Sequence, residues 1–394
     1  MRARLFGVLA AMLALLAAGL ATGTKIDYAV FFALALTVLF SLVSTLWTLL
    51  TVRVSMKSGR ARVLRGERMM TQITVRHASL LPAGSIRIAL DVPGGSGTQE
   101  MTVSAPPLTA RSFRSGIACP HRGGYDVGVS RVTVEDMFGL FRLSRKPGSR
   151  LMRLEVLPRA GETAPLELKA SDAGPEFRSR ASEDAASPSD IRKWQDGDEL
   201  KKVHWKLSLR KGELMVRTFE ESARPDTLVI PDLTEITALR DQRLTVEDAV
   251  CEAALAAAKA QLAAGYPVRM PLQSARPEEP AGRWISDLPG FTEALMRARF
   301  DSPYPYEQVL LLMTRRLQRT GGAVLVTSRL TSQAADIAMQ MQRQGIAVKF
   351  VWIDDAPRTE SREMLERIRM SGAQVEQIDP WTESRGKNEP ENRT

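Results

Sequence analysis

Chemistry is first to be sought in "QDGDELKKVHWKLSLRKGELMVRTFEE", residues 195–221. It holds His204, one of three histidines, and Trp205, one of six tryptophans. Imidazole titrates near neutral pH, so His204 with Asp198 or Glu220 has the residue types of a general acid–base pair. The same histidine, at the edge of an apolar helix face, also suits a structural role, satisfied by a carbonyl or carboxylate. Trp205 reads as a packing anchor between domains rather than a platform for a ligand. Lys201, Lys202, Lys206, Arg210 and Lys211 form a basic ridge that reads as a solvated face. Arg210 and Lys211 complement a helix dipole, and Asp196, Asp198, Glu220 and Glu221 are near enough in sequence to pair with it. The chain has no Walker A loop, no Gly-x-Ser-x-Gly and no zinc-type His-Glu pair.

The element that must position these residues is a short helix. Asp198 suits an N-cap. Leu200, Val203, His204 and Leu207 recur at i, i+3, i+4 and i+7, and Gly212 suits a left-handed stop. The pattern predicts a helix over about 199–210 and a strand over 213–219. The alternation of Trp205, Leu207 and Leu209 leaves a strand hairpin as the second reading.

The stretch resembles the signature of domain-of-unknown-function family 58 (DUF58). Arg192, Trp194, Gly197, Asp198, His204, Trp205, Lys206, Ser208, Arg210, Arg217, Phe219 and Glu220 stand at its motif positions. Trp194 replaces the usual Tyr, Asp196 a Pro and Leu209 an Ala. A second stretch, "RGGYDVGVSRVTVEDMFGLF" (122–141), is similar to the family's other run. Arg122, Gly123, Tyr125, Gly128, Asp136, Phe138, Gly139, Leu140 and Phe141 carry that likeness, with Met137 in place of Pro.

The resemblance implies a C-terminal part similar to a von Willebrand factor A domain. It also implies a MoxR-type AAA+ ATPase and a transglutaminase-like membrane protein as partners, and no established activity. Such A domains bind Mg²⁺ through Asp-x-Ser-x-Ser, a set of oxygen ligands suited to a hard cation. Here "VIPDLTEI" offers Asp232 and Thr234, but Ile236 takes the third place. The later strand "AVLVTS" ends in Thr327 and Ser328, not Asp. The implied site is degenerate and metal-free, with Mg²⁺ the one cofactor to consider.

A chain of 394 residues with 44% hydrophobic content has room for two or three domains with real cores. The net charge is +9, and through Arg68 nine basic residues stand against two acidic ones, leaving about +2 for the rest. That placement fits membrane topology rather than a nucleic-acid stripe. Residues 5–22 and 28–52 are uncharged and apolar, each long enough to span a bilayer. A signal peptide is the rival reading of the first, but the second run follows so closely that a helical hairpin, 1–55, fits better.

Arg2 and Arg4 precede the spans, and Arg53, Lys57, Arg60, Arg62, Arg65 and Arg68 follow them. Both flanks are therefore expected in the cytoplasm, with the basic collar near anionic lipid. Two cysteines, Cys119 and Cys251, fit a reducing compartment.

Short alternating runs predict a β-rich, immunoglobulin-like sandwich over 60–158, of open topology. Residues 159–190 read as a linker or mobile loop. Alternating strands and helices over 191–380, including an Ala-rich helix at 244–265 begun by Thr245 and ended by Gly265, predict an α/β A-type domain with a mainly parallel sheet. Residues 381–394 read as a disordered tail.

The function expected is an inner-membrane adaptor or scaffold, two-pass with both termini and the soluble domains cytoplasmic, working in cell-envelope assembly. Acid–base catalysis at His204 and Mg²⁺-dependent binding at Asp232 are the alternatives.

Overall fold

A computed structural model describes residues 2–58, 61–81, 84–94, 97–148, 151–168, 190–195, 203–218, 225–316, 320–354 and 359–381. The chain divides into two compact units, Met1–Leu157 and Pro158–Thr394.

The first unit opens with α1 (Arg2–Thr22) and α2 (Lys25–Thr51), both long and apolar enough to cross a membrane. Gly23, at φ 69°, donates its N–H to the Gly19 carbonyl and ends α1. The hydroxyls of Thr22 and Thr24 donate to Asp27 and pin the turn. A Cβ on Gly19 would lie 3.3 Å from Asp27 and 3.4 Å from Tyr28, which fixes the register of the hairpin.

Ten strands follow. They are β1 (Arg53–Ser58), β2 (Arg62–Leu64), β3 (Arg68–His77), β4 (Ser85–Asp91), β5 (Thr98–Val103), β6 (Thr109–Ala118), β7 (Gly123–Val127), β8 (Val129–Glu135), β9 (Arg142–Arg145) and β10 (Met152–Leu157). They form antiparallel sheets β1-β3-β6 and β5-β4-β8-β9, and a small mixed sheet β2-β10-β7. Alternate residues of β3 and β4 point inward, as the pleat requires. Ile73 and Val75 from one sheet, Ile88 and Val132 from another and Leu154 from the third meet in a single core. Each such buried side chain contributes about 1.5–3 kcal/mol relative to exposure.

α2 runs unbroken through the expected span over 28–52 and turns one polar stripe inward. Ser41, Ser44, Thr45 and Thr48 recur at i, i+3, i+4 and i+7 and are all buried. Leu49 and Val52 join the core of the strands, and this end of α2 packs on β8 and β9.

The second unit begins before the A-type domain was expected to. Residues 159–168, which fall in the expected linker, pack on its core. Leu166 is only 2% exposed among the α/β side chains. The buried Lys349 donates to Thr163 Oγ1 (2.5 Å) and the Ala164 carbonyl (2.8 Å) and pairs with Glu376 at 2.7 Å. Residues 169–189 of that linker and 382–394 of the expected tail lie outside the described residues.

A small antiparallel pair, β11 (Asp190–Lys193) and β12 (Met215–Thr218), flanks α3 (Trp205–Lys211). Next come β13 (Asp226–Pro231), α4 (Arg240–Ala263), β14 (Val268–Arg269), β15 (Ala281–Gly282), α5 (Leu288–Arg297) and α6 (Tyr306–Thr314). Then follow β16 (Thr320–Thr327), α7 (Ser332–Arg343), β17 (Ala347–Ile353), α8 (Thr359–Met370) and β18 (Gln374–Ile378). The sheet order is β15-β14-β13-β16-β17-β18, parallel except for the β15 edge, so it is mixed.

Both faces of the sheet are covered. Val229, Val324 and Val351 pack with α4 and α5 residues, while Ile230, Leu325 and Phe350 pack with residues of α6, α7 and α8. α4 starts at Arg240, before the expected Thr245, whose hydroxyl donates back to the Asp241 carbonyl inside the helix. Gly265, at φ 79°, follows its end. Gly321 and Gly322 lie within β16.

Candidate functional site

Three groups of side chains stand out, one around His204, one at Asp232 and one at Asp136.

The His204 motif is built on α3 and β12. Val203 forms a bridge with Val216, so the chain is still extended there and the helix starts at Trp205, not near 199. His204 is the N-cap, and its Nδ1 accepts the Leu207 N–H at 3.2 Å. Accepting there requires a lone pair on Nδ1. The His204 N–H donates to the Met215 carbonyl at 2.8 Å.

Buried Ser208 accepts the Met215 N–H at 2.9 Å and donates to the His204 carbonyl at 3.1 Å, which ties helix to strand. Gly212, at φ 68°, closes the helix by donating to the Ser208 carbonyl. Trp205 is 57% exposed and Leu209 83%. This differs from the expected role of Trp205 as a packing anchor. Lys206, Arg210 and Lys211 are exposed with them. Trp194 is half-buried and its N–H donates to the Leu214 carbonyl. Arg192 and Arg217 lie on β11 and β12. Gly197, Asp198, Phe219 and Glu220, with Asp196, Lys201, Lys202 and Glu221, lie outside the described residues.

Asp232 stands at the carboxyl end of β13, beside the end of β16. The chain leaves β13 for β14 on one side and returns to β16 on the other, so this is a topological switch point, where α/β sheets open a crevice. Asp232 is 3% exposed and its carboxylate is fully engaged. Oδ1 accepts the Thr234 N–H (3.0 Å) and hydroxyl (2.5 Å), and Oδ2 accepts the Thr327 hydroxyl (2.7 Å).

The Arg329 guanidinium donates to Thr234 Oγ1 and to the Glu235 carbonyl, and the Arg329 N–H donates to Thr327 Oγ1. Ile236 packs against the core. Tyr306 donates to the Ile230 carbonyl at 2.8 Å. Burial pushes its phenol well above the usual range, and the Asp232 charge adds to this. This donor set does not fit Mg²⁺ as it stands. A cation at Thr234 would have to displace a guanidinium, and the third ligand position holds a hydrocarbon.

Asp136 ends β8. Its Oδ1 accepts the Phe141 N–H (3.0 Å), and Oδ2 accepts the Phe138 N–H (3.2 Å) and the Ser41 hydroxyl (2.5 Å) from α2. Gly139, at φ 70°, makes the turn between them, and Leu140 is buried beneath it. A Cβ on Gly84 would meet the Asp136 carbonyl at 2.3 Å, so only glycine allows that approach. Tyr125 donates to the carbonyl of buried Arg122 at 2.7 Å and crowds Gly123, whose φ is 136°. Gly128 leaves room for Leu151.

Beside Asp136, burial raises the Glu135 carboxyl, but hydrogen bonds from Ser85 and Arg142 and the charges of Arg142 and Arg87 outweigh it and hold it below the usual range. Sequence reasoning missed Ser41 and Arg329. The Ser/Thr spacing in α2 was a legible signal for the first, whereas nothing in the sequence pointed to the second.

The family described as "Protein of unknown function DUF58" matches residues 190–280, from β11 to just short of β15. No curated protein matches the chain. Among solved structures, a GH2 beta-galacturonidase from Eisenbergiella tayi bound to galacturonate aligns at 11% identity and TM-score 0.17, over 83% of this chain and 56% of that one. Its glycerol-bound form aligns at 10% identity and TM-score 0.16, over 83% and 55%. The chain thus spans about half the length of those structures, and at such scores neither alignment bears on its fold or function.

Proposed function

From the premise that this chain is a DUF58 protein through residues 190–280, we propose that it works as a membrane-anchored adaptor. α1 and α2 are its two spans, both termini and both folded units are cytoplasmic, and the membrane is the inner one. Its partners are a MoxR-type AAA+ ATPase and a transglutaminase-like membrane protein, and the process is cell-envelope assembly. The von Willebrand factor A likeness belongs to this reading too, and the largely parallel sheet with its switch point after β13 supports it.

One observation carries the adaptor reading. α3 turns Trp205 and Leu209 to solvent one helical turn apart, among Lys206, Arg210 and Lys211, while His204 and Ser208 hold the helix to β12. Exposed Trp with neighbouring Arg is the composition of a protein-docking hot spot. Acid–base chemistry at His204 is less well supported, because the Leu207 N–H occupies Nδ1. Mg²⁺ binding is less well supported, because Arg329 holds Thr234.

The test is co-purification from detergent-solubilised membranes, with and without ATP, read by mass spectrometry. A MoxR-type ATPase should accompany the parent chain and be lost with Trp205→Ala/Leu209→Asp. Its absence from the parent eluate in both conditions would contradict the reading.

A further inference from the structure

The geometry points to the loop between β8 and β9 as a membrane-contacting element that seats Met137 and Phe138 in the bilayer interface beside the helical hairpin. The inference rests on α1 and α2 being spans and adds where the β unit meets lipid.

The hairpin register sets the level. Gly19 lies against Asp27 and Tyr28. Counting fifteen residues back along α1 reaches Arg4, and fourteen forward along α2 from Asp27 reaches Ser41. At about 1.5 Å per residue both lie roughly 22 Å from the crossing, on the side away from the turn. The loop touches both points. Asp136 accepts the Ser41 hydroxyl at 2.5 Å, and Arg4 Nη1 would lie 2.8 Å from a Cβ on Gly139.

Arg4 marks the edge of the hydrocarbon, because a guanidinium at the end of a span reaches for the interface. From Arg4 to Thr22, α1 has 19 residues. That is about 28 Å of helix, close to the thickness of a hydrocarbon core. Beyond Ser41, α2 buries Ser44, Thr45 and Thr48 and packs on β8 and β9, so the β unit meets the helix from this level onward.

At this depth the loop exposes Met137 by 65% and Phe138 by 55%. Their backbone is held by Asp136 and by the Gly139 turn, so the side chains are presented rather than left loose. Lipid is the occupant that the position supplies, since the loop sits on the spans themselves at the depth where aromatic side chains favour the interface.

The test uses the full-length protein in phosphatidylethanolamine–phosphatidylglycerol vesicles. Nitroxides are attached at Met137→Cys, at Leu36→Cys on the exposed face of α2 and at Arg131→Cys on the exposed face of β8. Cys119 and Cys251 are both buried, and labelled parent protein corrects for any reaction there. Collision rates with oxygen and with a nickel chelate report depth.

The oxygen-to-nickel ratio at residue 137 should be several-fold above that at 131 and below that at 36. A ratio at 137 equal to that at 131, with 36 deep, overturns the inference and leaves the spans standing. An aqueous label at 36 overturns the span reading and this inference with it. Phe138→Cys repeats the measurement if Met137→Cys fails to fold.

Discussion

Asp136 and Asp232 occupy equivalent places in unrelated surroundings. Each ends a strand, each is buried and each accepts three hydrogen bonds. Asp136 takes two from backbone N–H groups of the loop it closes and one from a membrane-type helix. Asp232 takes two from hydroxyls and one from an N–H, and a guanidinium braces the hydroxyl of Thr234. Both look like site residues, yet both carboxylates are occupied in holding chain. The difference lies in what each presents. The Asp136 loop exposes Met137 and Phe138, whereas at Asp232 the Arg329 guanidinium ties down Thr234 and the Glu235 carbonyl. A buried aspartate at a strand end thus says that a loop is organised, and the residues around it say for what.

That comparison is broken most severely at Asp136. Asp136→Ala orphans two backbone donors and the Ser41 hydroxyl, and charged-group hydrogen bonds are the stronger kind, so the loss should be about 3 kcal/mol. Denaturant unfolding in detergent measures it. Asp232→Ala should cost less, about 2 kcal/mol, because the Thr327 hydroxyl has the Arg329 carbonyl 3.1 Å away as a second acceptor. Equal losses would remove the distinction. Calorimetric titration of the parent protein with Mg²⁺ should give no heat, and heat abolished by Asp232→Ala would restore the metal reading.

His204→Ala should cost about 1 kcal/mol through the lost helix cap, and His204→Asn, a good capping residue, close to nothing. The smallest effect is on pH. Glu135 has its carboxyl held below the usual range in the folded chain, so the unfolded chain binds the proton more readily. Its contribution is present above the usual Glu range, near about 4.3, and is lost as pH falls through the depressed folded value. Glu135→Gln should flatten that acid limb of stability against pH.

Much of the fold was legible because period announces environment. The alternation in β3 and β4 and the strand–helix alternation after residue 225 follow directly from which faces are buried. The site was less legible. Asp198 suits an N-cap by sequence, but tertiary pairing of Val203 with Val216 pushed the helix start to Trp205 and made His204 its cap. Trp205 read as a packing anchor because size favours burial, yet the hydrogen bonds of Ser208 orient the helix with Trp205 outward. Arg329 was invisible, since its role depends on β13 and β16 being neighbours. The polar stripe in α2 was visible as spacing, but only the packed strands show what buries it.

The most direct test of the adaptor account compares two variants in one pull-down from detergent-solubilised membranes. His204→Asn keeps the cap and removes the imidazole. Trp205→Ala/Leu209→Asp removes only exposed side chains, and its stability should stay within about 0.5 kcal/mol of the parent. Both should fold, by the same unfolding assay. The account predicts that His204→Asn retains the MoxR-type ATPase and complements a deletion strain, while the double variant loses both. A folded His204→Asn that fails to complement, beside a double variant that succeeds, would contradict it.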